Sequence, residues 1–197
     1  MSARPPSPAR LRAWCRAALL ALLCLGTVFP ATADEAAGQA GAQAPQVGDR
    51  PPEWLGLDDQ GRSLRVGQYR GKVLLVVFWA GWCEQCRREL PQLSALQTGI
   101  GRERLQIVAI NYAEPQADYE AFLRRNPGLN LTTIRDPGTV ARHYRVRAVP
   151  NAFLIDTQGR IAHVQRGYTP AKVERLVREL HALLPPVARS PTPAATE

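Results

Sequence analysis

Two cysteines three positions apart, Cys83 and Cys86, are the residues of this 197-residue chain best suited to chemistry. They stand in Trp82-Cys83-Glu84-Gln85-Cys86, between an apolar, β-rich run and a segment of helical periodicity. At a helix start the free backbone N–H groups and the helix dipole favour negative charge. A thiolate at Cys83 is stabilised there, and its pKa is expected below the value of about 8.5 for a free cysteine. The thiolate is the attacking species in disulfide exchange. Cys86, one turn further along the same face, is placed to attack a mixed disulfide and release the partner. The pattern assigns Cys83 as nucleophile and Cys86 as resolving thiol of a redox-active pair.

Other uses of two cysteines fit less well. A Cys-x-x-Cys pair is half of a zinc site, but His143, His163 and His181 lie far apart and show no ligand spacing, so no metal and no cofactor is expected. A structural disulfide would join distant parts of the chain, whereas a bridge between positions 83 and 86 closes a tiny loop. The other two of the four cysteines, Cys15 and Cys24, fall in the first segment. That segment has the order of a secretory signal peptide: Arg4, Arg10, Arg12 and Arg16, then an apolar run from Ala17 to Phe29, then Ala31-Thr32-Ala33 as a cleavage site. A retained membrane anchor is the alternative. Leu23, directly before Cys24, does not suit lipid attachment. The chain is expected to be exported to the periplasm, soluble after cleavage or touching the membrane only through an uncleaved N-terminal segment. Without residues 1–33 the chain keeps 21 of its 25 basic residues against 17 acidic ones, a net charge of +4. These charges are scattered, so no nucleic-acid partner is expected.

The rest of the chain must position the cysteines. Residues 34–46, rich in Ala, Gly and Gln, read as a flexible linker, and 185–197, with Pro185, Pro186, Pro191 and Pro193, as a disordered tail. The domain between them spans 47–184. Asp58-Asp59-Gln60-Gly61 marks a hairpin turn. Lys72 to Trp79 reads as a strand buried on both faces. A helix follows from Cys83, with Leu90, Leu93, Leu96 and Ile100 as its core stripe and Pro91 as an expected kink. Leu105 to Ile110 is a second buried strand. A helix over 118–125, a short strand over 131–134 and a helical turn from Asp136 towards Tyr144 come next. Strands over 152–156 and 160–166 are joined at Thr157-Gln158-Gly159, and a helix over 170–184 opens with Pro170. This order predicts an α/β fold, with a mixed central sheet flanked by helices.

Phe78-Trp79-Ala80-Gly81-Trp82-Cys83-Glu84-Gln85-Cys86-Arg87-Arg88-Glu89-Leu90-Pro91 resembles the active-site segment of TlpA/ResA/DsbE (CcmG)-type thioredoxins. Val149-Pro150-Asn151-Ala152-Phe153-Leu154-Ile155-Asp156 is similar to their second hallmark, and Gly71-Lys72 also fits. The likeness covers about 47–184. It implies a thioredoxin-like fold with an added strand–helix unit between Cys86 and Pro150. It implies a cis peptide bond at Pro150, facing the cysteines, with the backbone around Val149 and Pro150 pairing with an extended substrate segment. Glu89, three residues after Cys86, takes the place of an acid that accepts or delivers the proton of Cys86; a solvated helix glutamate is the other reading. Trp82 either shields the disulfide and meets substrate or simply packs on the helix start. Two positions depart from the wider family. Val77 stands where cytosolic thioredoxin has a buried aspartate, which moves that role towards Glu89. Gln85 replaces the usual proline, freeing one more N–H near Cys83, and a lower thiolate pKa with a somewhat more oxidising couple is expected.

The resemblance implies an enzyme that reduces disulfides in exported client proteins, such as apocytochrome c during cytochrome c biogenesis. Its electrons would come from a membrane thiol donor of the DsbD/CcdA type. A disulfide-forming oxidase is the nearest rival, although the 63 residues between Cys86 and Pro150 leave no room for a large helical insertion. A non-catalytic binding module or metallochaperone is a second, and a thiol peroxidase a third. Ala80-Gly81-Trp82-Cys83 lacks the Pro-x-x-x-Thr/Ser-x-x-Cys setting that peroxidases use.

Overall fold

A computed structural model describes residues 43–186. The proposed signal segment, most of the linker and most of the tail lie outside the described residues.

The strand that leads to the cysteines is central because it is apolar on both faces. β3 (Val73–Trp79) is buried at all seven positions. A strand apolar on both faces needs cover on both sides. Val73, Leu75, Val77 and Trp79 enter one core; Leu74, Val76 and Phe78 enter the other. That alternation is the two-residue period of an extended chain.

The elements run β1 (Trp54–Leu57), β2 (Ser63–Arg65), a short 3-10 turn (Val66–Tyr69), β3, α1 (Glu84–Ile100), β4 (Leu105–Tyr112), α2 (Gln116–Arg125), β5 (Thr132–Asp136), α3 (Thr139–His143), β6 (Asn151–Ile155), β7 (Ile161–Arg166) and α4 (Pro170–Leu183). β1 and β2 form a separate hairpin. The main sheet has the order β5-β4-β3-β6-β7. β3, β4 and β5 are parallel; β6 and β7 are antiparallel to their neighbours. α1, α2 and α4 supply the first core through Leu90 and Leu93, Tyr119 and Phe122, and Leu176 and Leu180. Leu55 of the hairpin, Val140 and Ala141 of α3, and Tyr144 supply the second. This is the thioredoxin-like arrangement expected from the sequence. The stretch between Cys86 and Pro150 holds β4, α2, β5 and α3, which accommodates the added strand and helix.

α1 runs continuously through Pro91 and stops at Gly101. Gly101 has φ 92°, a left-handed conformation that glycine adopts without a Cβ clash. Its buried face is more polar than the leucine stripe suggested. Leu96 and Ile100 are only half-buried, while Glu89, Ser94 and Gln97 are buried. Gln97 bridges helix and sheet: its side chain accepts from the Ile107 N–H and donates to the Asn130 carbonyl. Ser94 accepts from the Asn130 N–H at 2.7 Å. These contacts turn the Ser94–Gln97 flank of α1 towards the loop that precedes β5. Glu89 lies on the opposite flank of the stripe.

Candidate active site

Cys83 is the residue that starts α1. Its backbone is extended (φ −83°, ψ 109°), and its Sγ accepts a hydrogen bond from the Cys86 N–H at 3.2 Å. Cys83 therefore occupies an N-cap position, where side-chain acceptors satisfy unpaired helix donors. The two sulfurs are joined in a disulfide, with Cα atoms 5.2 Å apart. Cys83 keeps 5% of its surface and Cys86 only 1%, so an approaching partner meets Cys83 first.

The Val149–Pro150 peptide bond is cis, as the resemblance implied. β6 begins at Asn151, which pairs with Phe78 of β3. Pro150 is thus level with Trp79, four residues ahead of Cys83, at the same end of the sheet as the cysteines. The Pro150 carbonyl accepts from the Gly167 N–H at 2.9 Å, while Val149 stays half-buried.

Glu89 is not a solvated helix glutamate: it is 2% exposed. It lies three residues after Cys86, so the two side chains are neighbours on one helical face. Neither carboxyl oxygen has a hydrogen-bond partner among the described residues. Burial without a compensating donor disfavours the charged form. Desolvation pushes the Glu89 carboxyl up from the ordinary 4.5 to about 7. A carboxyl poised there can give or take a proton near neutrality. Val77 is buried under the same helix, in the core that contains both cysteines.

Trp82 is not packed on the helix start either. It is 63% exposed, an apolar surface directly beside Cys83.

Three further residues converge on the turn before Cys83, and the sequence reading missed them. Glu114, buried in the connection from β4 to α2, accepts from the Gly81 N–H at 3.0 Å and from Asn111 Nδ2 at 2.6 Å through the same oxygen. Arg87 Nη1 donates to the Gly81 carbonyl at 2.8 Å. The signal available was a polar pair, Asn111 and Glu114, where β4 ends beside β3. No group of three or more metal-ligating side chains occurs among the described residues. No described helix is long and apolar enough to cross a membrane.

Comparison with known proteins gives a consistent set of relatives. The sequence pattern of the AhpC/TSA family matches residues 47–164. The thiol-disulfide oxidoreductase ResA of Halalkalibacterium halodurans is 30% identical over 184 residues, covering 91% of this chain and 98% of its own. ResA of Geobacillus kaustophilus is 33% identical over 140 residues, covering 71% and 79%. A crystal structure from Chlorobium tepidum, described as a DsbE thiol:disulfide interchange protein, superposes with a TM-score of 0.65 at 30% identity. It covers 71% of this chain and 99% of that one. A second Chlorobium tepidum structure, a thioredoxin family protein, shares the fold at a TM-score of 0.60 and 20% identity.

Proposed function

The chain belongs to the AhpC/TSA family and is a thiol–disulfide oxidoreductase of the ResA/DsbE type, and on that premise we propose that it reduces disulfides in exported client proteins through Cys83 and Cys86. The observation that carries the proposal is the position of Cys83, at the N-cap of α1 with its sulfur on the Cys86 N–H and the cis Val149–Pro150 bond at the same end of the sheet. An N-cap position stabilises the anion that must form when the disulfide opens.

The exchange runs in two displacements. The Cys83 thiolate attacks one sulfur of the client disulfide. An S–S bond forms to Cys83, the client S–S bond breaks, and the departing client thiolate takes up a proton. Glu89, as a carboxylate, accepts the proton of Cys86. The Cys86 thiolate then attacks Cys83 Sγ, closes the Cys83–Cys86 disulfide and expels the second client thiolate. Two electrons pass from the protein to the client. The client backbone pairs as an extended segment beside Val149 and Pro150, and the exposed face of Trp82 supplies apolar contact next to the reacting sulfurs. Reloading needs a dithiol donor, proposed here as a membrane protein because an oxidising compartment supplies no reducing pool. Apocytochrome c, with its own Cys-x-x-Cys pair, is the proposed client.

Trapping tests the roles. Reduced Cys86→Ser protein mixed with an oxidised Cys-x-x-Cys peptide should accumulate a mixed disulfide through Cys83, while Cys83→Ser should accumulate none. Stable adduct formation by Cys83→Ser would reverse the assignment.

A further inference from the structure

No step of the exchange uses Glu114, yet its carboxylate is buried against the turn that delivers Cys83. Three contacts meet on Gly81. Its N–H donates to Glu114 Oε2 at 3.0 Å. Its carbonyl accepts from Arg87 Nη1 at 2.8 Å. Its Cα faces the same carboxylate so closely that a Cβ there would stand 2.8 Å from Glu114 Oε1. The φ of Gly81 lies outside the left-handed region, so the backbone does not demand glycine; a side chain there would instead have to displace the Glu114 carboxylate from its present place.

Gly81 and Trp82 are the central residues of a turn closed by the Cys83 N–H on the Ala80 carbonyl at 3.1 Å. That turn sets where Cys83 enters α1 and where its sulfur points. Glu114 is itself anchored: Asn111 Nδ2 donates to its carboxylate at 2.6 Å, and Arg135 Nε donates to its backbone carbonyl at 3.1 Å. The turn is therefore tied to the ends of β4 and β5 by a charge-assisted hydrogen bond, stronger than a neutral one.

We propose that Glu114 is a positioning residue for disulfide exchange, holding the Gly81 peptide and, through the Ala80–Cys83 turn, the line of attack of Cys83 Sγ. The role follows from the sensitivity of displacement reactions to alignment, where a misplacement of about 1 Å costs about a hundredfold in rate. Without the carboxylate, the Gly81 N–H loses its acceptor and the turn loses its tie to the sheet. Arg87 alone, reaching from an exposed position on α1, does not replace it.

The test mixes reduced protein with an oxidised Cys-x-x-Cys peptide carrying a fluorophore and a quencher, and reads the rate at saturation and the half-saturating peptide concentration. Glu114→Ala and Gly81→Ala should lower the saturating rate at least tenfold and leave half-saturation within twofold. Glu114→Gln should stay within threefold of the wild type, because one amide oxygen can accept from both Gly81 and Asn111. Thermal melts of the oxidised proteins identify any variant that fails to fold. If Glu114→Ala does not fold, Gly81→Ala and Glu114→Gln decide by the same criteria. A Glu114→Ala or Gly81→Ala protein within twofold of the wild-type saturating rate overturns the proposal, as does Glu114→Gln as slow as Glu114→Ala. The inference rests on the exchange reading. A wild type that leaves the peptide untouched sinks that reading, whereas an active wild type with indifferent variants sinks the Glu114 role alone.

Discussion

Glu89 carries two consequences of one physical fact, a carboxyl buried with no donor. The first concerns stability. Its pKa rises from the ordinary 4.5 to about 7 on folding, so the native state binds the proton more tightly than the unfolded chain. Stability linked to this group is unaffected below about pH 4.5 and falls as pH rises from there to about 7, by an amount of the order of 3 kcal/mol. Glu89→Gln removes the ionisation. Its stability relative to wild type, from urea midpoints at pH 5 and pH 8, should rise by about that amount between the two. A difference independent of pH contradicts the buried-acid account. The second concerns rate. As the base for Cys86, Glu89 works when ionised, so turnover should climb through a limb near pH 7 and lose it in Glu89→Gln, with a fall of about a hundredfold. The cysteines and the proline were legible as residue types at characteristic spacings. The burial of Glu89 was legible only through the resemblance, with Val77 moving the buried-acid role towards it, because by itself a glutamate between Arg88 and Leu90 reads as surface until the helix is docked on the sheet. Gly81 was legible only as part of a motif, since the carboxylate packed against it comes from 33 positions away.

At the scale of elements, the loop that leads to Pro150 depends on a five-residue helix too short to hold itself. α3 is fixed by Asp136, which is 1% exposed. Its carboxylate accepts from the N–H groups of Thr139 at 2.8 Å, Val140 at 3.0 Å and Ala141 at 2.8 Å. The chain then passes through Tyr144, whose hydroxyl donates to the Pro52 carbonyl at 2.9 Å and whose ring meets Phe153 of β6 at 5.0 Å. Asp136→Ala leaves three donors without their acceptor and should lower stability by about 2–3 kcal/mol in urea unfolding, with an unchanged slope. A loss below about 0.5 kcal/mol would show that α3 stands without its cap. Asp136-Pro137 was readable as a helix start, but the triple use of one carboxylate was not. Strands and helices were legible wherever periodicity was strong, as in β3, β4 and α4. The polar underside of α1 was hidden because Gln97 finds its partners on β4 and at Asn130, distant in sequence.

For the whole molecule, the disulfide staples little of the two cores. β3 divides them, and the bridge closes a loop between residues only three apart. The fold brings the end of β3, the start of α1 and the start of β6 to one edge. Such an arrangement suits a pair that must open and close without unfolding its surroundings. Sheet order and the pairing of β3 with β6 were not legible in the sequence, since strand order is set by contacts between distant segments. Above all, the Cys83–Cys86 pair is expected to donate electrons. The most direct test is the reduction potential of the couple in defined glutathione buffers. Electron donation predicts a value closer to the thioredoxin figure of about −270 mV, raised somewhat by Gln85, than to the DsbA figure of about −120 mV. A value near −120 mV would mark an oxidant and contradict it.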